Sequence, residues 1–384
     1  MNGTSAKDTS ANGADANGKS GDGNGKGGNG ASASGTRVNG TRMNGTLERL
    51  GRIRELGIVG ATVLLFVVTG LANSGFLSID SFRDILLNAS IIGLLAIGQA
   101  MVIITRNVDL SVSSTTGLSA FLAGVLLADH KGLPVIVVAL ACIAMGAAWG
   151  LLNGALVAYF RIPALVATLG TLYVIRGVDY WFAGGRQVNA ADMPSGFLSL
   201  GTAKIVGVPV LPLITLAVLA AVGWGLANLR SGRELYAIGS NPDAAILAGV
   251  PVTRRLLTVF VLNGAIAGLA GVLWAARFGT LDATVATGKE LDVVAAAVVG
   301  GVAISGGVGS AWGAALGALL LTSISSALAV LKVDSLAQYA INGALLLAAI
   351  VLDRLLALRL AARLRKKSRE RSVETTPLAA EATR

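Results

Sequence analysis

Cysteine and histidine are almost missing from this sequence of 384 residues, which has one of each, Cys142 and His130. A lone cysteine inside an apolar run excludes an intrachain disulfide and a cysteine-based metal site. A lone histidine in a short polar break cannot build a zinc site of the usual kinds and reads as a solvated loop residue. Charge is scarce as well: 14% of residues carry one, against about 25% in an ordinary soluble domain. With 54% hydrophobic residues and a mean hydropathy of +0.71, a soluble globular protein is excluded as the default. The net charge of +10 points superficially to nucleic acid. Its placement along the chain argues for membrane topology instead.

Large apolar side chains are absent from most of residues 1–46, so this segment cannot bury enough surface to offset chain entropy and is expected to be disordered. No basic stretch followed by an apolar core opens the chain, so no secretory signal is expected. The segment contains two decoys. Gly13 to Ser20, GADANGKS, matches the phosphate-loop pattern, and Gly23, Gly25 and Gly28 match G-x-G-x-x-G. Either motif works only between a strand and a helix, so that backbone N–H groups converge on phosphate. Neither element is expected here, and the chain has no credible nucleotide site. The Asn-Gly-Thr triplets at Asn2, Asn39 and Asn44 read as low-complexity repetition.

Beyond residue 56 the chain alternates long apolar runs with short polar breaks. About 20 apolar residues are needed to cross roughly 30 Å of hydrocarbon as a helix. Ten candidates fit, at about 57–74, 85–105, 110–128, 133–159, 163–183, 208–229, 256–276, 291–305, 311–331 and 336–353. The runs are continuous rather than alternating, which excludes a barrel. The eighth is short and is expected to be re-entrant or partly spanning unless charge decides otherwise. Charge favours ten: 23 of the 31 Lys and Arg then fall on the side of both termini and 7 on the other, which puts both ends in the cytoplasm. The segment Arg354–Arg371 reads as a polybasic helix along anionic lipid.

The motif AWGxxxGAL occurs twice, at Ala148–Leu156 and Ala311–Leu319, in the fourth and ninth spans. Asp109 after the second span parallels Asp282 after the seventh. A shift of five spans reverses direction, so spans 2–5 and 7–10 read as inverted repeats, a transporter signature. The expected fold is therefore an all-α polytopic transmembrane bundle. Its parts are a tail over 1–46, a membrane domain over 47–355 and a basic tail over 356–384. Gly146, Gly150 and Gly154, with Gly313 and Gly317, permit close helix crossing.

One internal polar loop, 230–255, is long enough to carry a docking element. Asn241 is a good N-cap, Pro242 fits the first helical position, and Asp243 suits the helix dipole. Ala244 and Ala245 continue a short helix, which Gly249 and Pro251 end. Within the spans, Asn88, Gln99, Asn153, Thr168, Thr171, Asn263 and Asn342 are polar and expected to face the interior. Amides and hydroxyls exchange hydrogen bonds with a hydroxylated solute without committing a charge. Asp109, Ser111 and Thr105 sit where span two breaks before span three, either on a path or as the capped start of a helix. Arg176 and Asp179 can pair at i,i+3.

Together these blocks resemble a family. GRELYAIGSNPDAAILAGV (232–250) resembles the EAA-type coupling loop of ABC importer permeases of the ribose/xylose/rhamnose sugar type, within the branched-chain amino acid/sugar permease family. Gly98-Gln99 with Val108 to Val112, Gly150 to Thr171, and Gly288 to Gly301 resemble its other blocks in order, over about 85–353. Asn107 and Ser113 depart from the usual glycines.

The resemblance implies a monosaccharide permease with no enzyme activity of its own. It implies coupling through Arg233, Glu234, Asn241, Pro242, Asp243, Ala244, Ala245 and Gly249. It also implies a second permease subunit, identical or different, and two ABC ATPase subunits or one tandem ATPase that carry ATP and Mg. An extracytoplasmic solute-binding protein completes the system, in a bacterial cytoplasmic membrane and with no nucleic acid. No cofactor and no metal is expected in this chain. Autoinducer-2, a nucleoside or a branched-chain amino acid is the alternative cargo, and an ATP-independent secondary transporter the alternative mechanism. The latter usually wants a central carboxylate or histidine, where the mid-span positions here offer amides.

Overall fold

A computed structural model describes residues 40–334 and, beyond them, 336–338, 340, 341, 343, 344, 347, 348, 351 and 355, with side-chain surroundings from residue 55 onward. The chain divides into units 1–45 and 46–384, and the helical bundle is the second. The N-terminal 39 residues, the basic tail 356–384 and part of the expected tenth span, Asn342 included, lie outside the described residues.

Twelve α-helices are described. They are α1 Gly40–Ala72, α2 Ile79–Ile104, α3 Val112–Asp129, α4 Val135–Ala158, α5 Ala164–Ala183 and α6 Ser195–Thr202, then α7 Val210–Asn228, α8 Arg230–Ser240, α9 Pro242–Leu247, α10 Val252–Phe278, α11 Lys289–Val299 and α12 Ala311–Val330. The only strands among the described residues are the two-residue β1 Lys204–Ile205 and β2 Val208–Pro209. The all-α bundle expected from the apolar runs is therefore what forms. α1 begins at Gly40, within the segment expected to be tail.

Local chemistry places the boundaries. Ser78 caps α2 through the Ser81 N–H, and Ser310 caps α12 through the Gly313 N–H at 2.9 Å. Pro134, Pro163 and Pro209 stand just before α4, α5 and α7, where no backbone N–H is needed. α5 and α10 stop at Gly184 and Gly279, both in the left-handed region.

Seven of the described helices are long and apolar enough to cross a membrane: α1 (from Glu55), α2, α3, α4, α7, α10 and α12. α5 has the length, but Arg176 and Asp179 lower its hydropathy. α11 has 11 residues, about 16 Å at 1.5 Å per residue, half of what a crossing needs. The rest of the expected eighth run, from Gly300 to Gly309, is a loop with Gly301, Gly306, Gly307 and Gly309 at positive φ. α11 by itself is thus shorter than the full crossing that the charge count favours for the eighth run.

α2 is the central helix, buried continuously from Gly93 to Ile104. It packs with α10, α11 and α12 in one core, in which Leu94 and Ile97 meet side chains such as Phe260, Ala296 and Ala314. The outward faces stay apolar: Leu71 is 85% exposed and Trp181 82%. Such surface is stable only against lipid tails.

α4 lies antiparallel along α10, and α12 lies antiparallel along α2. These two pairings exchange under a swap of the halves, as inverted repeats require. A second correspondence is local. Asp109 accepts hydrogen bonds from the N–H (2.9 Å) and Oγ (2.7 Å) of Ser111. Asp282 accepts from the N–H (2.7 Å) and Oγ1 (2.6 Å) of Thr284. The repeated glycine motif is less symmetrical. Gly150 and Gly154 press on the α10 backbone, whereas Gly313 and Gly317 press on α11 and the Gly300 peptide.

At the α4–α10 crossing, Gly146 faces Gly264 and Gly268, and Gly150 faces the Phe260 carbonyl, with no room for a Cβ. The bare surfaces let the two backbones touch, the main source of helix attraction in lipid. Gly150→Leu is expected to destabilise the purified protein by about 1–3 kcal/mol, the cost of overpacking. Gly170→Leu, at an α5 position with nothing within 4 Å, is expected to leave the thermal midpoint in detergent unchanged.

Candidate functional site

The residues singled out in the sequence fall into three places. The first is the end of the bundle formed by α8 and α9. α8 is amphipathic. Its Gly232 fits against the last turn of α7, and its Gly239 against the Ile104 carbonyl and Gly307. Glu234 points inward and accepts hydrogen bonds from Arg230 (2.8 Å) and Arg255, which ties α8 to the start of α10. The Arg255 hydrogen bond, with that of Arg230, holds the Glu234 carboxyl below its ordinary value of 4.5 against the opposing effect of burial. Arg233 is exposed and donates to the Asn228 carbonyl.

The Asn241 side chain caps α9 through the Ala244 N–H at 3.1 Å, Pro242 opens the helix, and Gly249 closes it at φ +76°. Ala245 faces inward, while Asp243, Ala244, Ile246 and Leu247 face outward. Leu247 is 88% exposed and Ile246 59%. These two apolar side chains were not legible as surface residues, because a six-residue helix has too few turns to display a stripe.

The second place is a buried polar joint. α2 ends at Ile104 and α3 begins at Val112, and in the segment between them Thr105, Asp109 and Ser111 are buried while Arg106 is exposed. Asp109, 1% exposed, accepts from Ser111 through one oxygen and from the Asn263 amide of α10 at 2.9 Å through the other. Ser111 Oγ accepts from the Asn153 amide of α4 at 2.7 Å, and Asn153 accepts from Thr171 Oγ1 of α5 at 2.7 Å. Thr168 Oγ1 accepts from the Leu110 N–H at 3.1 Å. With the Gln99 amide turned so that its nitrogen and oxygen each meet a complementary group, it spans the Asp109 peptide, donating to its carbonyl (3.2 Å) and accepting from its N–H (3.1 Å). Thr105 Oγ1 donates to the Val102 carbonyl at 2.7 Å.

Eight of the ten candidate path residues are therefore gathered into, or adjoin, one joint that links α2, α3, α4, α5 and α10. Ser113, which departs from the resemblance, adds α11 by donating to Glu290 at 2.6 Å. Asn107 donates to the Thr105 carbonyl at 2.9 Å.

The connection between these two places was missed in the sequence. Arg106, in the left-handed region at φ +66°, hydrogen-bonds through Nε to the Gly239 carbonyl and through Nη2 to the Ser240 carbonyl at 2.7 Å. The residue three positions before Asp109 thus holds the last turn of α8. The Gly307 N–H donates to the Ile104 carbonyl, and Tyr236 Oη to the Gly309 carbonyl, both at 2.9 Å, so the 300–309 loop joins the same assembly. An arginine beside a polar loop reads as one more topology charge until its partner is seen.

The third place is a cavity of about 360 Å³ between α2, α10, α11 and α12. Asn88, alone of the described candidate path residues, lines it, with Trp274, Lys289, Asp292, Thr322 and Ser325 among its neighbours. Arg176 and Asp179 lie apart from all three. They approach to 3.6 Å, and Arg176 donates to the carbonyls of Ala283 and Val285.

The family of the permease component of branched-chain amino acid transport systems matches residues 81–350. The autoinducer-2 import system permease protein LsrC of Salmonella paratyphi B is 39% identical over 330 residues, covering 86% of this chain and 94% of that one. The Salmonella typhi protein of the same name agrees to the same extent. The Escherichia coli K12 protein is 37% identical over 327 residues, covering 84% and 94%. No solved structure gives a significant match.

Asp109→Ala strands three donors in a buried setting and is expected to cost on the order of 3 kcal/mol, read as a lower thermal midpoint; Asn153→Ala is expected to cost less. The lowered pKa of Glu234 means that its carboxylate stabilises the α8–α10 contact above the ordinary glutamate range and loses that effect as pH falls through the folded-state value. The difference in thermal midpoint between wild type and Glu234→Gln should therefore be constant from neutral pH down to about 5 and shrink below 4.5.

Proposed function

The chain belongs to the branched-chain amino acid transport system permease component family, and on that premise we propose that it carries a small, neutral, hydroxylated solute across the cytoplasmic membrane as the permease subunit of an ATP-driven importer. It is a multi-pass membrane protein and not an enzyme; ATP is hydrolysed on a separate subunit. Its own half of the work is to turn a push at α9 into a rearrangement of the bundle.

The observation that carries this reading is the Arg106 strut. α9 stands at one end of the bundle with Ile246 and Leu247 exposed, as an anchor for a groove on a soluble partner requires. Its neighbour α8 is held by Arg106, and Arg106 begins the segment that carries Asp109. A displacement of α8 and α9 therefore reaches the joint through one side chain. Arg233, Glu234, Asn241, Pro242, Asp243, Ala244, Ala245 and Gly249 are the coupling residues, some by contact and some by shaping the helix. The joint residues exchange partners as the two halves rock between outward and inward states.

The α8–α9 end then faces the cytoplasm, with both termini on the same side. Residues 1–46 and 356–384 are cytoplasmic tails around the 47–355 membrane domain. Two such subunits, identical or different, work with two ATPase subunits or one tandem ATPase, which carry ATP and Mg, and with an extracytoplasmic binding protein. No cofactor belongs to this chain. Among hydroxylated cargoes, autoinducer-2 ranks first by the relatives and monosaccharides follow by the polar lining.

The reading is tested by ATP-driven uptake of autoinducer-2, ribose, rhamnose and leucine into proteoliposomes that contain the whole complex. Leu247→Asp should release the ATPase on copurification, since loss of a buried anchor costs about 2 kcal/mol or more, near thirtyfold in affinity. Arg106→Ala should keep the ATPase bound and its hydrolysis running, while uptake per ATP falls about tenfold. Full uptake by both variants, or uptake on a proton gradient alone, would refute the proposal.

A further inference from the structure

The cavity between α2, α10, α11 and α12 is built unlike the joint. In the joint nearly every polar group is spent on another. In the cavity, Asn88, Thr322, Ser325 and Ser326 make no hydrogen bond to any described residue. Ser323, one position away on the other face of α12, returns its hydroxyl to the Leu319 carbonyl at 2.7 Å. The contrast identifies one face of α12 whose hydroxyls have no hydrogen-bond partner among the described residues. Asn88 lies opposite, nine residues into α2 from its start at Ile79. Trp274 presents an aromatic wall, tilted against Phe278 with ring centres 4.9 Å apart.

Charge narrows the occupant. Lys289 Nζ donates to Asp292 at 2.9 Å, so the two ionic groups of the cavity neutralise each other. A zwitterion would have to separate this pair to use it, and an anion or cation would leave one member unpaired. A neutral solute leaves it intact. Free amide and hydroxyl groups both donate and accept, as a polyol does, and an aromatic face suits the C–H side of a sugar-like ring. The volume of about 360 Å³ is at the small end of ligand pockets, room for one small solute. Neither the ion pair nor four free polar groups can face hydrocarbon cheaply, so the cavity borders water.

The cavity also has a defined depth. Arg277 of α10 binds Asp84 of α2 at 2.7 Å, on the side of the cavity away from α8 and α9. Asn88 is one helical turn from Asp84, while Gly98, which abuts Asn263 in the joint, lies beyond it. The cavity therefore occupies the half of the bundle remote from the docking helix.

We infer that this cavity is a binding station for a neutral hydroxylated solute in the outer half of the permease, with Asn88, Thr322, Ser325 and Ser326 donating and accepting to hydroxyls and Trp274 stacking on the ring. The inference rests on the importer reading and deepens it by naming where and how the solute is held. It also states a selectivity: amino acids are refused by a pair that is already closed.

Cysteine scarcity makes the test direct, because Cys142 is fully buried and gives the parent protein no reactive background. Ser325→Cys and, as a second site, Thr322→Cys are placed in the complete complex in lipid nanodiscs and treated with a charged, water-soluble maleimide. Labelling is expected at both sites. Autoinducer-2 or ribose at ten times its half-saturating concentration should slow it about tenfold, and leucine at the same concentration should not. Ile136→Cys, at a lipid-facing position 65% exposed, should react with an apolar maleimide only. Labelling that no hydroxylated solute slows, or that leucine slows equally, overturns the inference, as does a lipid-like pattern or a disulfide between two copies at Ser325→Cys. If wild-type uptake still runs on ATP in that case, the binding station fails while the importer reading stands. Absence of ATP-driven uptake of every solute tested by an assembled wild-type complex removes the importer reading itself.

Discussion

A chain that leaves its helix inside a packed bundle uncovers amides that need new partners, and between Ile104 and Val112 these come largely from Asp109 and the groups gathered around it. The carboxylate takes up Ser111 and Asn263, the Gln99 amide takes up the Asp109 peptide, and Thr168 takes up the Leu110 N–H. Each of these residues comes from a different part of the chain. The hydrogen bonds that make the break tolerable therefore also fix how α2, α4, α5 and α10 stand to one another. A joint of this kind is strong while satisfied and costly while half-satisfied, which suits an element that passes between two discrete arrangements rather than bending.

The apolar contacts set the distance over which such bonds can form. Gly146, Gly150, Gly264 and Gly268 let α4 and α10 touch along their backbones, and that proximity brings Asn153 within reach of Ser111. The pairing of α4 with α10 and of α12 with α2 shows the two halves exchanging roles. The matched Asp-x-Ser and Asp-x-Thr turns at Asp109 and Asp282 carry the same relation into single side chains. The halves have nevertheless diverged in use. Asp109 is buried and central, while Asp282 is partly exposed beside the turn that Arg176 holds. One half thus carries the strut to the docking helix, and the other contributes three of the four helices around the cavity.

Much of this was legible in the residues. Length and hydropathy mark the crossings, because a helix in lipid must be long and apolar whatever its neighbours are. The cap at Asn241, the proline at Pro242 and the terminator at Gly249 mark a short helix, because those effects act within one turn. The doubled AWGxxxGAL marks two close helix contacts, against α10 in one copy and against α11 and Gly300 in the other. The short eighth run marks a short helix, although the charge count favours a full crossing there.

Partnership was not legible. Asn88, Asn153 and Asn263 look alike as amides in apolar runs, yet two of them close the joint and the third faces a cavity. Arg106 looks like a topology charge until Gly239 is brought beside it. Local propensity and burial pattern depend on neighbours in sequence, so the chain alone determined the helices, their boundaries and the membrane as solvent. Which polar group is satisfied and which is left free depends on residues far away along the chain, and only the tertiary structure decided it.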